Sequence, residues 1–477
     1  MLDKMNTEQK QAYEAVRNGE TIFLTGPGGT GKSFLMGLLY SVLPKQTGKT
    51  VSLTALTGCA ALLLHSNAKT LHSWAGVGLA KDSAPLLISQ VKKSRRATLR
   101  WIETDILVID EISMMTPEFF EKLDHVGRKI RRNERQPFGG LQLVLVGDFY
   151  QLPPVTKGAS SWRAPEVLGA PQAVVKYENE SKKDSTFLFE SELWKQMKIK
   201  KYELTQIVRQ ADPIFQSVLN EARIGAVTKK SLRVLVNRMG LDYQKEDIRP
   251  TMLFTRRAEV HDINMSYLNK LMKEKGGQPR TFKASTVFLP IAETEGVKES
   301  DPFVMKAIAK LDNDASYTPE LVLAIGAQVM LLINEPELGL VNGSRGVVIG
   351  YGTGTEKTSN KPEDKNDIAQ ELLVPVVKFK NGITIPIEHN TWQVPDFKGI
   401  LRRQIPLRLA YAITIHNCQG STLDCALIDV GKNTFEYGQA YVALSRVKSL
   451  DSLYIHDLEA TAFRAHPKVV AFYTQQP

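Results

Sequence analysis

The stretch Gly26-Pro27-Gly28-Gly29-Thr30-Gly31-Lys32-Ser33 decides the fold of this chain of 477 residues. It fills every fixed position of the phosphate-binding loop pattern, with an apolar run over residues 21–25 before it and a helical pattern after it. In such a loop, backbone N–H groups face the β-phosphate, the lysine neutralises the β and γ oxygens, and the serine hydroxyl holds Mg²⁺. The stretch therefore predicts an ATP site that is formed by Gly26, Gly28, Gly29, Thr30, Gly31, Lys32 and Ser33, with Ser33 as a ligand of Mg²⁺.

The first 155 residues alternate apolar runs with helical patterns, which is typical of a parallel sheet flanked by helices. The predicted strands are residues 21–25, 51–55, 106–109 and 141–146. Because the first of these strands leads into the phosphate-binding loop, the pattern predicts the α/β core of a P-loop ATPase.

An acidic pair, Asp110-Glu111, follows the third predicted strand. The carboxyl ends of the strands in a parallel sheet are where such a fold presents groups to its ligand. We expect Asp110 to reach the Mg²⁺ shell and Glu111 to polarise the water that attacks the γ-phosphate. An exposed acidic pair is the alternative, and the apolar run over residues 106–109 disfavours it because such a strand is buried on both faces.

The fourth predicted strand is followed by Gly147-Asp148-Phe149-Tyr150-Gln151-Leu152-Pro153-Pro154. The Gln151 amide can donate a hydrogen bond to a phosphate oxygen and accept one from water, so it is a candidate sensor of the γ-phosphate. Residues of these types near the end of a strand more often form only a turn. The prediction for Gln151 therefore depends on the other motifs.

The composition points to a polyanionic partner and away from a membrane. The net charge is +10 and the pI is about 9.2, although a basic balance alone also describes a solvated surface. No apolar stretch is long enough to span a bilayer, and three cysteines without paired spacing favour neither a disulfide framework nor a zinc site. We expect an intracellular setting, which is the cytoplasm for a bacterial or viral source and the nucleus or mitochondrion for a eukaryotic one. The basic residues cluster at 92–96, 128–135, 198–201 and 402–403.

Further motifs identify a family. They are 5–9 (MNTEQ), 54–61 (TALTGCAA), 70–76 (TLHSWAG), 108–115 (VIDEISMM), 204–210 (LTQIVRQ), 340–346 (LVNGSRG), 413–424 (ITIHNCQGSTLD) and 439–446 (QAYVALSR). Over nearly the full length the chain resembles superfamily 1 helicases of the 5′-to-3′ branch, specifically the Pif (petite integration frequency) group. RecD and the phage Dda helicase are more distant relatives of that group.

The resemblance implies a fold of two RecA-like lobes with ATP between them and a small β-rich, SH3-like insertion in the second lobe. We expect the first lobe over residues 1–190, with a wedge-like insertion near 77–101. The second lobe is expected over 191–330 and 405–477, and the β-rich insertion over 331–404.

The resemblance also implies roles for individual residues. Gln9 would read the adenine and Gly420 would line the nucleotide site, while Arg209 and Arg446 would stabilise γ-phosphate charge across the cleft; without this context such arginines more often form surface salt bridges. At Asn417-Cys418 the family usually has Lys-Ser, so a cation expected there is absent. The implied contacts to DNA phosphate or sugar are Thr57, His72, His416 and Thr422, and the implied base-stacking or wedge-supporting rings are Phe149 and Trp74.

The resulting hypothesis is an ATP-dependent DNA helicase that moves 5′ to 3′ on single-stranded DNA, with forked or tailed duplexes as substrates. ATP and Mg²⁺ are the implied cofactors, and the polarity rests on the resemblance alone. We expect a working monomer, with dimerisation on DNA left open.

Two alternatives keep the phosphate-binding loop, namely a DNA-stimulated ATPase that remodels complexes without unwinding and an ATP-gated clamp on single strands. A clamp would not need Glu111 or the two arginines, so their presence counts against it. A small-molecule kinase would not need the basic clusters, so it fits the sequence less well.

Overall fold

The phosphate-binding loop follows an inner strand of a six-stranded parallel sheet. The computed structural model describes residues 2–65, 68–78, 80–154, 187–243, 248–254, 257–275, 279–290, 298, 300–315, 317–355, 371–394, 397, 399–415, 418–432 and 434–475. The strands of this sheet, in the spatial order β3-β2-β4-β5-β1-β6, are β1 (Ile22–Thr25), β2 (Val51–Ala55), β3 (Lys69–Thr70), β4 (Ile106–Asp110), β5 (Gln142–Val146) and β6 (Lys200–Glu203). All four predicted strands are present within one residue of their predicted bounds, and the α/β fold class is confirmed.

Helices cover both faces of this sheet, and β4 illustrates why its sequence is continuously apolar. Leu107 and Ile109 pack into the hydrophobic cluster on one face, whereas Ile106 and Val108 pack into the cluster on the other face. A strand whose alternate residues both meet a core has no polar face. The helices of this part are α1 (Thr7–Arg17), α2 (Lys32–Ser41), α3 (Leu43–Thr47), α4 (Gly58–Leu64), α5 (Leu71–Ala75), α6 (Ala84–Lys93), α7 (Arg95–Glu103), α8 (Pro117–Ile130) and α9 (Glu192–Gln196).

A second, four-stranded parallel sheet lies in the other half of the chain. Its strands, in the spatial order β18-β7-β19-β20, are β7 (Thr251–Phe254), β18 (Ala412–Thr414), β19 (Ala426–Val430) and β20 (Leu453–Leu458). The helices in this half are α10 (Pro213–Ile224), α11 (Lys229–Val236), α12 (Arg257–Lys275), α13 (Pro302–Asp314), α14 (Gln439–Leu444) and α15 (Pro467–Gln475). The chain therefore contains two parallel-sheet lobes, in agreement with the expected pair.

Between β7 and β18 the chain forms antiparallel sheets. A five-stranded sheet has the order β14-β13-β12-β11-β17, a three-stranded sheet has the order β15-β16-β9, and β10 pairs with β8. The strands are β8 (Arg280–Lys283), β9 (Ser285–Phe288), β10 (Glu320–Leu323), β11 (Gln328–Leu331), β12 (Arg345–Thr355), β13 (Glu371–Phe379), β14 (Thr384–Pro386), β15 (Asn390–Gln393), β16 (Ile400–Gln404) and β17 (Leu407–Leu409).

The predicted bounds of the β-rich insertion, 331–404, were too narrow. Its antiparallel strands begin at Arg280 and end at Leu409. The early strands find partners far along the chain, as where Ile400 pairs with Phe288, and a local sequence pattern does not reveal such long-range pairing.

Two lobe boundaries also differ from the prediction. Strand β6 begins at Lys200 and pairs with β1, so the first sheet extends beyond residue 190. Helix α15, expected in the second lobe, packs Val469 and Phe472 into the core of the first lobe. The ring of Phe472 lies 5.5 Å from that of Phe149, which follows β5. The end of the described chain therefore returns to the first lobe.

The segment expected to form a wedge folds as helices α6 and α7. Leu87, Val91 and Trp101 from these helices are fully buried in the first-lobe core, whereas the Leu86 side chain is 60% exposed. The part of the chain that the structure describes contains no helix long and apolar enough to span a membrane.

Candidate active site between the two lobes

The phosphate-binding loop is shaped by close backbone contacts. At Gly26, where φ is +137°, a Cβ would lie 2.2 Å from the carbonyl oxygen of Leu204, so only glycine fits. Helix α2 begins at Lys32, whose Nζ donates to the carbonyl oxygens of Gly26 and Pro27 at 2.6 and 2.9 Å. Burial lowers the pKa of Lys32, and three nearby carboxylates oppose this shift.

A cavity of about 630 Å³ opens at this loop and collects most of the predicted nucleotide and catalytic residues. Gly26 and Thr30 do not line it; the Thr30 hydroxyl instead donates to the carbonyl oxygen of Pro27 at 3.0 Å and braces the loop from within. The predicted residues that line the cavity are Gln9, Gly28, Gly29, Gly31, Lys32, Ser33, Asp110, Glu111, Gln151, Arg209, Gly420 and Arg446.

One end of the cavity is bounded by the N-terminus of α1. Gln9 and Asn6 form a capping box, and Gln9 Nε2 also donates to the carbonyl oxygen of Thr30 at 3.4 Å. The amide is thereby held against the phosphate-binding loop with little freedom to rotate. Lining residues that the sequence analysis did not single out include Phe34 and Val208, which supply an apolar surface beside these amides.

The acidic pair lies at the carboxyl end of β4. Glu111 has a left-handed backbone with φ of +58°, which turns its carboxylate into the cavity, and its backbone N–H donates to Asp110 Oδ1 at 2.8 Å. Burial raises the pKa of both carboxyls, and the charge of Glu111 raises that of Asp110 further. The Ser33 hydroxyl and the Asp110 carboxylate are hard oxygen donors on one cavity wall, which is the donor chemistry that Mg²⁺ prefers.

The second lobe supplies the opposite wall, and Gln419 is one of its residues that contact the first lobe directly. Gln419 Nε2 donates to Glu111 Oε2 at 2.8 Å across the cleft, and both side chains are buried. Gln419 belongs to the motif at residues 413–424, but no role was predicted for it. The sequence offers no local indication of its partner, because the two residues lie 308 positions apart.

The two predicted arginines lie beside this contact. Arg446 is only 2% exposed and donates to the carbonyl oxygen of Val442 at 2.8 Å and to the hydroxyl of Ser445 at 2.6 Å. Arg209 donates to the carbonyl oxygen of Ser445 at 3.2 Å, and burial together with the charge of Arg446 lowers the pKa of Arg209 to about 10. The charge of Arg446 in turn acts to lower the pKa of Glu111. Two guanidinium groups therefore face the acidic pair.

Gln151 completes the first-lobe wall. Its side chain is buried and lines the cavity, and its backbone N–H donates to the carbonyl oxygen of Asp148 at 2.9 Å. The turn after β5 thus aims the amide at the site, as a sensor of a terminal phosphate would require.

The predicted DNA contacts are less uniform. The Thr57 hydroxyl caps α4 by accepting from the N–H of Ala60 at 3.2 Å, and Thr422 is half-buried in the second lobe. The His72 ring stacks on Phe119 with 4.3 Å between centroids, and burial lowers the pKa of His72 to about 4, so the ring is neutral at pH 7. His416 and Asn417 lie outside the described residues.

Of the two roles predicted for Phe149, stacking on a DNA base is contradicted by its burial, and support of a wedge stays a prediction. Its side chain is 2% exposed and packs against Phe23, Trp194 and Phe472 in the first-lobe core. Trp74 is equally buried and packs on Trp101 of α7, with 4.7 Å between ring centroids. Its burial excludes stacking on a base, and a wedge-supporting role for Trp74 stays a prediction.

The basic clusters divide into paired and exposed groups. Arg128 pairs with Asp124 at 2.7 Å and Arg402 with Asp312 at 2.8 Å in partly buried ion pairs, whereas Lys129 pairs with Glu134 at 2.6 Å on the surface. Lys92, Lys93 and Arg95, at the junction of α6 and α7, are exposed to solvent. This junction is the stronger candidate for a polyanion surface.

Two parallel-sheet lobes with a phosphate-binding loop, an acidic pair and two opposed arginines are features of the class of P-loop nucleotide-binding proteins. The comparisons narrow this class. Residues 4–168 match the PIF1-like helicase family, and residues 311–351 match the family described as DNA helicase Pif1, 2B domain.

Relatives that match nearly all of this chain agree with these family matches. The Pif1 helicase from Candida albicans shares 32% identity and a TM-score of 0.73, with 99% of each chain covered. Pif1 from Bacteroides in complex with ADP-AlF3 and single-stranded DNA shares 26% identity and a TM-score of 0.63, covering 98% of this chain and 96% of that one. The ATP-dependent DNA helicase PIF1 of Danio rerio is 36% identical over 99% of this chain and 64% of its own length. The chain belongs to the PIF1-like helicase family, and it spans just under two thirds of the length of the vertebrate relatives that it matches.

Proposed function

We propose that the chain is an ATP-dependent DNA helicase that translocates 5′ to 3′ on single-stranded DNA. The observation that carries this proposal is the hydrogen bond of Gln419 in the second lobe to Glu111 in the first. A site completed only when two lobes meet can couple the state of the nucleotide to lobe movement.

In the proposed hydrolysis, the loop N–H groups and Lys32 hold the β and γ phosphates while Gln9 positions the base. Glu111 accepts the proton of the attacking water, and Gln151 orients that water against the γ-phosphate. Arg209 and Arg446 stabilise the charge that develops on the transferred group. Ser33 and Asp110 are the residues that would hold Mg²⁺, which neutralises phosphate charge when it is bound.

The proposed DNA partner is supported by the charge distribution and by the relatives. The exposed cations at the α6–α7 junction can neutralise phosphates, and the Bacteroides relative is described in complex with single-stranded DNA. Opening a base pair costs about 1.4 kcal/mol on average, which is within reach of a motor that traps freed bases in turn. Both walls of the ATP site come from one chain, so we propose a monomer as the working unit.

Strand displacement from two labelled partial duplexes, one with a 5′ tail and one with a 3′ tail, tests the proposal. With ATP and Mg²⁺ present, we expect only the 5′-tailed duplex to open, and Glu111→Gln to abolish that opening. Opening of only the 3′-tailed duplex would reverse the polarity. DNA-stimulated hydrolysis without opening of either duplex would favour a remodelling ATPase instead.

A further inference from the structure

A buried ion pair lies behind the phosphate-binding loop, outside the predicted set of site residues. Arg223 of α10 donates from Nε and Nη2 to the two carboxylate oxygens of Asp148, each at 3.0 Å. Asp148 has no exposed surface and Arg223 is 8% exposed. A bidentate pair of this kind fixes the relative orientation of the two elements that carry it. Here those elements are the turn after β5 in the first lobe and a helix of the second lobe.

Tyrosines surround this pair, and one of them comes from the last described helix. The Arg223 guanidinium lies 4.6 Å from the ring centroid of Tyr150 and 5.3 Å from that of Tyr473. The Tyr473 hydroxyl accepts from the N–H of Phe149 at 3.2 Å and lies 2.7 Å from Thr25 Oγ1. Either hydroxyl can be the donor in the contact between Tyr473 and Thr25. Thr25 is fully buried and immediately precedes the phosphate-binding loop.

A second tyrosine reaches the loop itself. The Tyr441 hydroxyl accepts from the N–H of Gly28 at 2.8 Å and lies 3.5 Å from Asp148 Oδ2. Tyr441 is 2% exposed and belongs to α14, the helix that leads to Arg446. Its hydroxyl therefore connects the loop to the buried ion pair and to the arginine wall of the second lobe.

We propose that Tyr441 and Tyr473 are positioning residues that set the conformation of the phosphate-binding loop through their hydroxyl groups. Tyr473 holds the start of the loop at Thr25, Tyr441 holds it at Gly28, and the pair of Asp148 with Arg223 fixes both tyrosines. The inference rests on the proposed ATP site and adds a control of that site by the two last helices of the described chain.

The stability of the fold alone does not explain why polar groups are buried behind the loop. Phenylalanine would fill the same volume as either tyrosine, and buried ion pairs are often no more stabilising than apolar residues of similar volume. Buried hydroxyls need partners, and here the partners are the N–H of Gly28 in the loop, the hydroxyl of Thr25 just before the loop, and the N–H of Phe149. A role in shaping the loop explains why polar groups occupy this position.

Tyr441→Phe and Tyr473→Phe test the proposal, because each removes one hydroxyl and leaves the ring. The readouts are the Kd for a fluorescent ADP analogue and the KM for ATP in steady-state hydrolysis. We expect each variant to raise both constants about three- to tenfold, the effect of one hydrogen bond, while the unfolding midpoint changes little. Tyr351→Phe is the matched control, since the Tyr351 hydroxyl donates to the carbonyl oxygen of Leu323 at 3.0 Å in the antiparallel region.

A double-mutant cycle with Thr25→Val distinguishes an effect of Tyr473 that acts through Thr25 from a general loss of nucleotide affinity. If Tyr473 acts through Thr25, then Thr25→Val in the Tyr473→Phe background adds little further loss, and Thr25→Ser retains the wild-type constants. The proposal is overturned if both Tyr→Phe variants change nucleotide affinity no more than Tyr351→Phe does. Since the Kd is measured without DNA, failure of unwinding in the wild-type protein leaves this test intact.

Discussion

The two walls of the nucleotide cleft are held in place by different means. In the first lobe, Asp110 ends strand β4 and Glu111 follows it, while Lys32 begins the helix after the loop that follows β1, so covalent connection to the sheet places all three. In the second lobe, Arg446 and Gln419 lie in separate segments, and Arg446 donates to the carbonyl oxygens of Val442 and Cys418. The difference teaches that the sheet places the charged groups of the first, preformed wall, whereas the second wall is assembled by hydrogen bonds and depends on the approach of the lobes.

Replacing Arg446 should produce the largest effect. We expect Arg446→Ala to lower kcat for ATP by roughly 10³- to 10⁵-fold while nucleotide still binds, because the first wall alone holds the phosphates. Arg446→Lys should lose nearly as much, since an ammonium cannot reproduce the several donors of the guanidinium. Lys448→Ala, an exposed cation two residues away, is the control. Normal turnover in Arg446→Ala would remove the arginine from the site.

Glu111→Gln tests the preformed wall. The substitution keeps the shape of the side chain but removes the base, so we expect kcat to fall about 10²- to 10⁴-fold with little change in nucleotide affinity. Single-turnover hydrolysis and equilibrium nucleotide binding are the measurements. Equal losses in binding and in kcat would indicate instead that Glu111 shapes the cavity.

Gln419 links the two walls and should show an intermediate effect. We expect Gln419→Ala to lower kcat about tenfold, the range for one hydrogen bond to a charged group, without a change in the unfolding midpoint. In the Glu111→Gln background the same substitution should cost much less, because its partner carboxylate is absent. Additive losses in the double variant would show that Gln419 acts independently of Glu111.

The contrast between the two walls also explains which parts of the fold and of the site could be predicted from the sequence. The strands of the first sheet and the acidic pair follow from a buried apolar run and the group at its end, which are local features. The pairing of Asp148 with Arg223 and the return of α15 to the first lobe join residues that are distant in the chain. No periodicity encodes such contacts. They were therefore missed, together with the role of Gln419.

Phe149 illustrates a different limit. The motif that contains it does face the cleft, since Gln151 lines the cavity two residues later. The Phe149 ring itself is packed in the first-lobe core. Residue type and motif membership place a segment near a site, but packing decides which side chains reach it.

The smallest expected effect concerns His72, which the first lobe holds by packing rather than by cleft contacts. Burial, with a smaller contribution from Lys310, lowers its pKa from 6.5 to about 4. The unfolded chain therefore binds a proton more tightly than the folded one, so this contribution to stability is complete above pH 6.5 and is lost as the pH falls toward 4. His72→Phe keeps a ring against Phe119 and should flatten the pH dependence of the unfolding midpoint in that window while ATP hydrolysis at pH 7.5 stays unchanged. An unaltered pH dependence would mean that the His72 ring titrates as it does in solvent. A strong loss of hydrolysis would mean that the packing of His72 in the first-lobe core also supports the preformed wall of the nucleotide site.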